Sequence, residues 1–219
     1  MNSPRARLTH LALCLGLLAA PLGCTVGEGE GSVTSDHLYV TGCWNGAFDL
    51  RPDFFGANPD PGESLIIRVQ RGDNVEDVSD GLIVAVNDLP YVRMHLNEPL
   101  KVGLPRGVTP SGVPIVYDPD PPKISLVLYL HNTCHQQNGT VYSIESPDST
   151  ITFSSLFSGD LNEGSSENRL TDATFSASFA DPRELADVTD PKKLDDLTST
   201  VTGRFRFFFQ RGQPSQPFQ

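Results

Sequence analysis

The tightest constraint on how this chain folds is a period of two near its C-terminus. Val201, Gly203, Phe205, Phe207 and Phe209 alternate with Thr202, Arg204, Arg206, Phe208 and Gln210, and Ala173, Phe175, Ala177 and Phe179 alternate with Thr174, Ser176 and Ser178. Successive side chains of a strand point to opposite faces, so this spacing predicts two strands that each bury one face. The first set should line the core while Arg204 and Arg206 meet water. Phe208 breaks the polar face, as a contact for a second layer or as an exposed ligand-binding anchor.

Elsewhere the runs are shorter but of the same kind. Leu38 to Val40, Ala47 to Leu50, Leu65 to Val69, Gly81 to Val86 and Tyr91 to Leu96 are β-patterned and separated by Pro, Gly, Asn and Asp. Ile124 to Leu130 is almost continuously apolar, as in a strand covered on both faces. Thr140 to Ile144 and Ile151 to Leu156 flank a Pro-containing turn and suggest a hairpin, whereas Asn58 to Gly62 and Pro105 to Pro122 are Pro-rich and aperiodic, as loops are. Helix signals are few. Asp181-Pro182-Arg183-Glu184 combines an N-cap, a proline at the first helical position and a capping acid, predicting a helix over 182–188, and Asp190-Pro191 opens a similar stretch to Leu197. Both fall between the two strongly alternating strands. The expected fold is mainly β, an antiparallel β-sandwich of roughly eight to ten strands with one or two short helices in a late crossover.

The N-terminus has a different character. Arg5 and Arg7 precede an apolar stretch of 13 residues, Leu11 to Gly23, which is shorter than the roughly 20 residues that span a bilayer. A charged start, a short apolar core and a small residue before the break fit a removed signal peptide over residues 1–23. Its end, Leu22-Gly23-Cys24, resembles the lipobox of bacterial lipoproteins, with Pro21 where that pattern usually has leucine. The resemblance implies a lipid on Cys24, a membrane-anchored protein of the cell envelope, and, because Thr25 rather than Asp follows, sorting to the outer membrane. The rest of the chain resembles, at low specificity, uncharacterised envelope lipoproteins. Residues 24–36, rich in Gly, Ser and acid, read as a flexible tether, and residues 37–219 as one domain.

Cysteine usage follows. Cys14 leaves with the signal, which strands an odd number, Cys24, Cys43 and Cys134. Lipidation of Cys24 leaves Cys43 and Cys134, 91 residues apart, as one candidate disulfide in an oxidising compartment. Loss of Arg5 and Arg7 takes the 16 basic side chains to 14 against 27 acidic ones, a net charge of −13. A field of that sign repels phosphate backbones, so nucleic acid is not an expected partner, and the membrane contact should be the lipid.

Chemistry-bearing clusters are sparse. His131 and His135 flank Cys134, but on a strand four residues span about 13 Å, too far to chelate one ion. Asp160-Leu161-Asn162-Glu163-Gly164 starts like a calcium loop, yet its glycine is one residue early. Asp118 with Asp120 and Asp195 with Asp196 read as surface charge. Gly-x-Ser-x-Gly and Ser-x-x-Lys are absent, and no metal or cofactor is expected. Trp44, next to Cys43, suits packing on a disulfide, with a sugar-stacking platform as the alternative. The expectation is a non-enzymatic envelope lipoprotein with a structural or binding role, its partner an envelope protein or glycan. A carbohydrate- or ligand-binding module comes second and an unrecognised hydrolase third.

Overall fold

In a computed structural model, the structure describes residues 29–60, 63–72, 79–104, 122–134, 143–185 and 197–211. They form an antiparallel β-sandwich. The first sheet contains β1 (Gly29–Val40), β2 (Trp44–Leu50), β6 (Leu100–Gly103), β9 (Asp148–Ser155), β10 (Leu170–Phe179) and β11 (Ser199–Phe208), ordered β2-β1-β11-β10-β9-β6. The second contains β3 (Phe54–Asp60), β4 (Ser64–Gln70), β5 (Asp80–Val86), β7 (Ile124–Leu130) and β8 (Ser143–Glu145), ordered β3-β4-β5-β7-β8. Among the described residues, α1 (Leu89–Met94) connects the two sheets, while α2 (Ser166–Arg169) and α3 (Pro182–Leu185) lie between strands of the first.

The core is built from opposed chemistries. Phe153, Phe157, Phe179, Phe205 and Phe207 come from the first sheet and its margin, and Leu65, Ile67, Leu82, Ile124, Leu126 and Leu128 from the second, all fully buried. The alternation of β11 holds throughout, with Val201, Phe205, Phe207 and Phe209 buried, Gly203 half-buried against the Phe175 ring, and Arg204 and Arg206 exposed. Phe208 is half-buried, its backbone opposite Leu170.

Four expectations need correction. The domain does not begin at His37, because residues 29–36 are strand rather than tether. Gly29 pairs with Phe207 and Val33 is fully buried. The glycine that looked like linker composition is small for packing reasons, since a Cβ at Gly29 would meet Phe55 and Phe207 at 2.7 Å. A register shift between Ser35 and Leu38 then restores the inward phase, so that Val33 and Ser35 before it and Leu38 and Val40 after it all face inward.

Tyr91 to Leu96 is not a strand. Asp88 caps α1 by accepting from Tyr91 N at 3.0 Å, Pro90 sits in the first turn, and Leu89 and Val92 are buried one helical turn apart. Lys123 Nζ donates to the same Asp88 carboxylate at 2.8 Å, and these two bonds, its own first, hold that carboxyl below its ordinary value.

Residues 143–156 do not make a hairpin either. β8 pairs with β7 and β9 with β10 and β6, so the chain changes sheets at Ser146-Pro147 and forms a corner. Asn58 to Asp60 is the end of β3 rather than loop; Pro59 is tolerated there because β3 is an edge strand, where a missing donor can face outward.

The helical signal at Pro182 yields the single turn of α3, and 186–196 lie outside the described residues, as does the 105–121 part of the second expected loop. β10 and β11 are direct antiparallel neighbours, so α3 belongs to a long hairpin connection.

Candidate functional site

The expected disulfide is present. Cys43 follows β1 and Cys134 follows β7, with their α-carbons 5.3 Å apart, so the bond joins the two sheets. Its surroundings are positioned by Asp80, a buried residue at the start of β5. One carboxylate oxygen accepts from Asn132 N at 2.9 Å and Thr133 N at 3.0 Å, and the other accepts from Thr133 Oγ1 at 2.7 Å. Three donors on one buried carboxylate fix the turn that presents Cys134.

Beside this turn a groove of about 710 Å³ opens to solvent, lined by Trp44, Phe48, Asp49, Asp53, Arg71, Asp80, Asn132 and Thr133 among others. Trp44 is half-buried and packs against the core, its indole Nε1 donating to Gly46 O at 3.2 Å. Trp44 thus packs against the core next to Cys43 and also lines the groove. Asp53 Oδ1 accepts from Gly72 N at 2.5 Å, which ties the loop before β3 to the turn after β4, and Asp49 pairs with Arg51 at 2.8 Å. An aromatic body, carboxylates, a side-chain amide and a guanidinium around one opening can hydrogen-bond a hydroxyl-rich ligand and receive its apolar face.

Behind the groove, on the outer face of the second sheet, lies a buried polar row. Gln70, Gly81 and Tyr129 are register neighbours, and Tyr129 OH crosses Gly81 to donate to Gln70 Oε1 at 2.6 Å. Only glycine permits this, since a Cβ at Gly81 would stand 2.1 Å from the Tyr129 oxygen. Burial pushes the Tyr129 hydroxyl far above the ordinary phenol value, opposed by the Arg68 guanidinium and reinforced by Asp80, so it is a proton donor at any physiological pH. Burial lowers Arg68 in turn. Gln70 Nε2 donates to Gly72 O at 2.7 Å, so the row ends at a residue that lines the groove.

Phe208 does not join Trp44. Gly29 opposes Phe207 at one end of β1 and Val40 opposes Trp44 at the other, so the two aromatics are a strand's length apart. The calcium-like segment folds back on itself. Asp160 Oδ1 accepts from Asn162 N at 2.8 Å, while Glu163 accepts from Ser165 N at 2.8 Å and Ser158 Oγ at 3.1 Å. Among the described residues no group of three or more His, Cys, Asp or Glu could hold a metal ion. Cys24, His135, Asp118, Asp120, Asp195 and Asp196 lie outside the described residues.

One carboxylate is placed at a disadvantage. Glu145, at the corner between the sheets, bonds Ala180 through its backbone at 2.9 and 3.0 Å, but its Oε2 is buried without a partner. Burial, and then the neighbouring Asp181, raises its carboxyl above the ordinary value. A raised acid favours the protonated fold, so its stabilising contribution is full below the unfolded carboxyl value of about 4.3 and is lost as pH rises through the folded value. Glu145→Gln is therefore expected to raise the denaturation midpoint at pH 7 and to lose that advantage at pH 4. Equal midpoint shifts at both pH values would show that Glu145 is not held this way.

The chain matches no family model, and no curated protein matches it.

Proposed function

We propose that the protein is a non-enzymatic lipoprotein of a bacterial cell envelope, anchored through Cys24, whose sandwich holds a hydroxyl-rich ligand, of which an envelope glycan is the leading class, in the Trp44 groove. The observation that carries the binding role is the half-buried Trp44 on the wall of an open, mostly polar groove. The anchor rests on the charged start, the short apolar core and Gly23-Cys24, and a disulfide between Cys43 and Cys134 accords with an oxidising compartment. Binding is favoured over hydrolysis because Asp49, Asp53 and Asp80 each already hold a donor of the protein itself.

The chain has one tryptophan, so its intrinsic emission reports on the groove alone. Titration with soluble envelope oligosaccharides is expected to shift that emission saturably. Trp44→Phe is expected to weaken binding, measured calorimetrically, by about 3- to 10-fold, the loss of roughly 0.5–1.5 kcal/mol of aromatic contact. Binding that Trp44→Phe leaves unchanged would move the ligand elsewhere, and no saturable response would remove the binding role. Cys24→Ser is expected to release the protein from membranes in detergent partitioning. A variant that stays equally membrane-bound would end the lipoprotein reading.

A further inference from the structure

We propose that the end of the first sheet where β1 begins is the face that lies on the bilayer, with Met94 and Leu161 as its apolar contacts and Trp44, opposite Val40 at the other end of β1, held away from the membrane. This rests on lipidation at Cys24. Gly29 follows Cys24 by five positions, and a fully extended chain covers at most about 3.3–3.6 Å per residue, so Gly29 sits within roughly 18 Å of the anchored cysteine.

The register places the other strand ends at the same level. Gly29 opposes Phe207, Phe208 opposes Leu170, and Asp172 opposes Ser155, so β1, β11, β10 and β9 all terminate here. The segments beyond them are fastened to one another. The Phe157 and Phe209 rings stack at 4.0 Å, Arg169 Nε donates to Phe209 O at 2.9 Å, and Ser158 N donates to Asn168 O at 2.8 Å. Arg93 draws in the end of α1, donating to Leu156 O and, at 3.0 Å, to Asn168 Oδ1. Leu89, at the other end of α1, lies against Gly159.

Met94, the last residue of α1, and Leu161, in the loop after β9, are thereby brought to the anchored end. They are two of the three exposed large apolar side chains among the described residues, at 73% and 49% exposed. The third, Tyr39, at 43%, opposes Asn45 ten residues further along β1, about 30 Å away at strand rise. Single exposed apolar side chains are ordinary on a protein surface; what sets these two apart is their place at the end tethered to a lipid, where the bilayer is the nearest apolar phase. The charges here are mixed, Arg93, Arg169 and Arg211 standing among Asp160, Glu163 and Glu167, so the contact does not require anionic lipid.

The lipidated full-length protein is reconstituted in phosphatidylcholine vesicles, with or without acyl-chain bromination, which quenches only tryptophans at membrane depth. Leu161→Trp and Met94→Trp, each combined with Trp44→Phe, are compared with the wild type, whose Trp44 reports the far end. Both variants are expected to lose severalfold more emission in brominated vesicles than the wild type does. Vesicle-bound protein with equal quenching at all three positions, or with the strongest quenching at Trp44, overturns the orientation while leaving the anchor intact. Protein that fails to float with vesicles removes the lipidation reading, and the orientation falls with it.

Discussion

Phe207→Ala is expected to lower the unfolding free energy by about 3–5 kcal/mol, a large share of a typical domain's stability. Phe207 is fully buried at the point where three elements meet: its own strand β11, β1 through the pairing with Gly29, and β3 through the Phe55 ring, 5.8 Å away and inclined by 27°. Truncation removes the transfer energy of the ring and leaves a cavity that neighbouring strands cannot close, because Gly29 has no side chain to move into it. Arg206→Ala, one residue away on the wet face, should cost well under 1 kcal/mol. Denaturant titration of the two variants gives the comparison, and equal losses would mean that β11 is out of register by one residue.

Removing the disulfide by pairing Cys43→Ser with Cys134→Ser is expected to cost about 2–5 kcal/mol. The bond closes 91 residues, and the unfolded chain gains the most entropy when a loop of that length is released. It also connects the two sheets at the turn which Asp80 holds, so its loss leaves the groove wall attached only through packing and the Asp80 bonds. The denaturation midpoint of the wild type should therefore fall on reduction, while that of the double variant stays put. A reductant-insensitive wild type would show that the bond does not form in solution.

The parts of the fold that a sequence reading captures are those whose signal is local. β10 and β11 declare themselves because one face is dry and the other wet over ten residues each. The corner at Ser146 is invisible locally, since alternating residues on either side of Pro147 look the same whether the two strands share a sheet or not. Residues 91–96 read as β until Asp88 is recognised as a cap, whereupon the helical spacing of Leu89 and Val92 becomes the better account. Gly29 and Gly31 resemble linker because the reason for their smallness lies far along the chain, in the Phe55 and Phe207 side chains for Gly29 and in the Arg204 carbonyl and Phe55 ring for Gly31.

The groove was legible only at Trp44 and the cysteines. Asp80 and Thr133 are 53 positions apart, and nothing in either neighbourhood announces the other. The buried row could have been found in part. Ile66, Arg68 and Gln70 alternate strictly with the core residues Leu65, Ile67 and Val69, which places a charge and an amide together on one face.

The pairing of β1 with β11 has a kinetic consequence. The first strand of the sandwich finds its central neighbour 178 positions later, at Phe207 opposite Gly29. Sheets closed by such distant contacts form slowly, because the loop must be brought together before any of its contacts can form. In this chain β1 has only β2 to pair with until the last ten-residue strand arrives, so a nascent molecule lacking β11 keeps one long edge of β1 unpaired, and the first sheet stays in two halves until β11 joins β1 to β10.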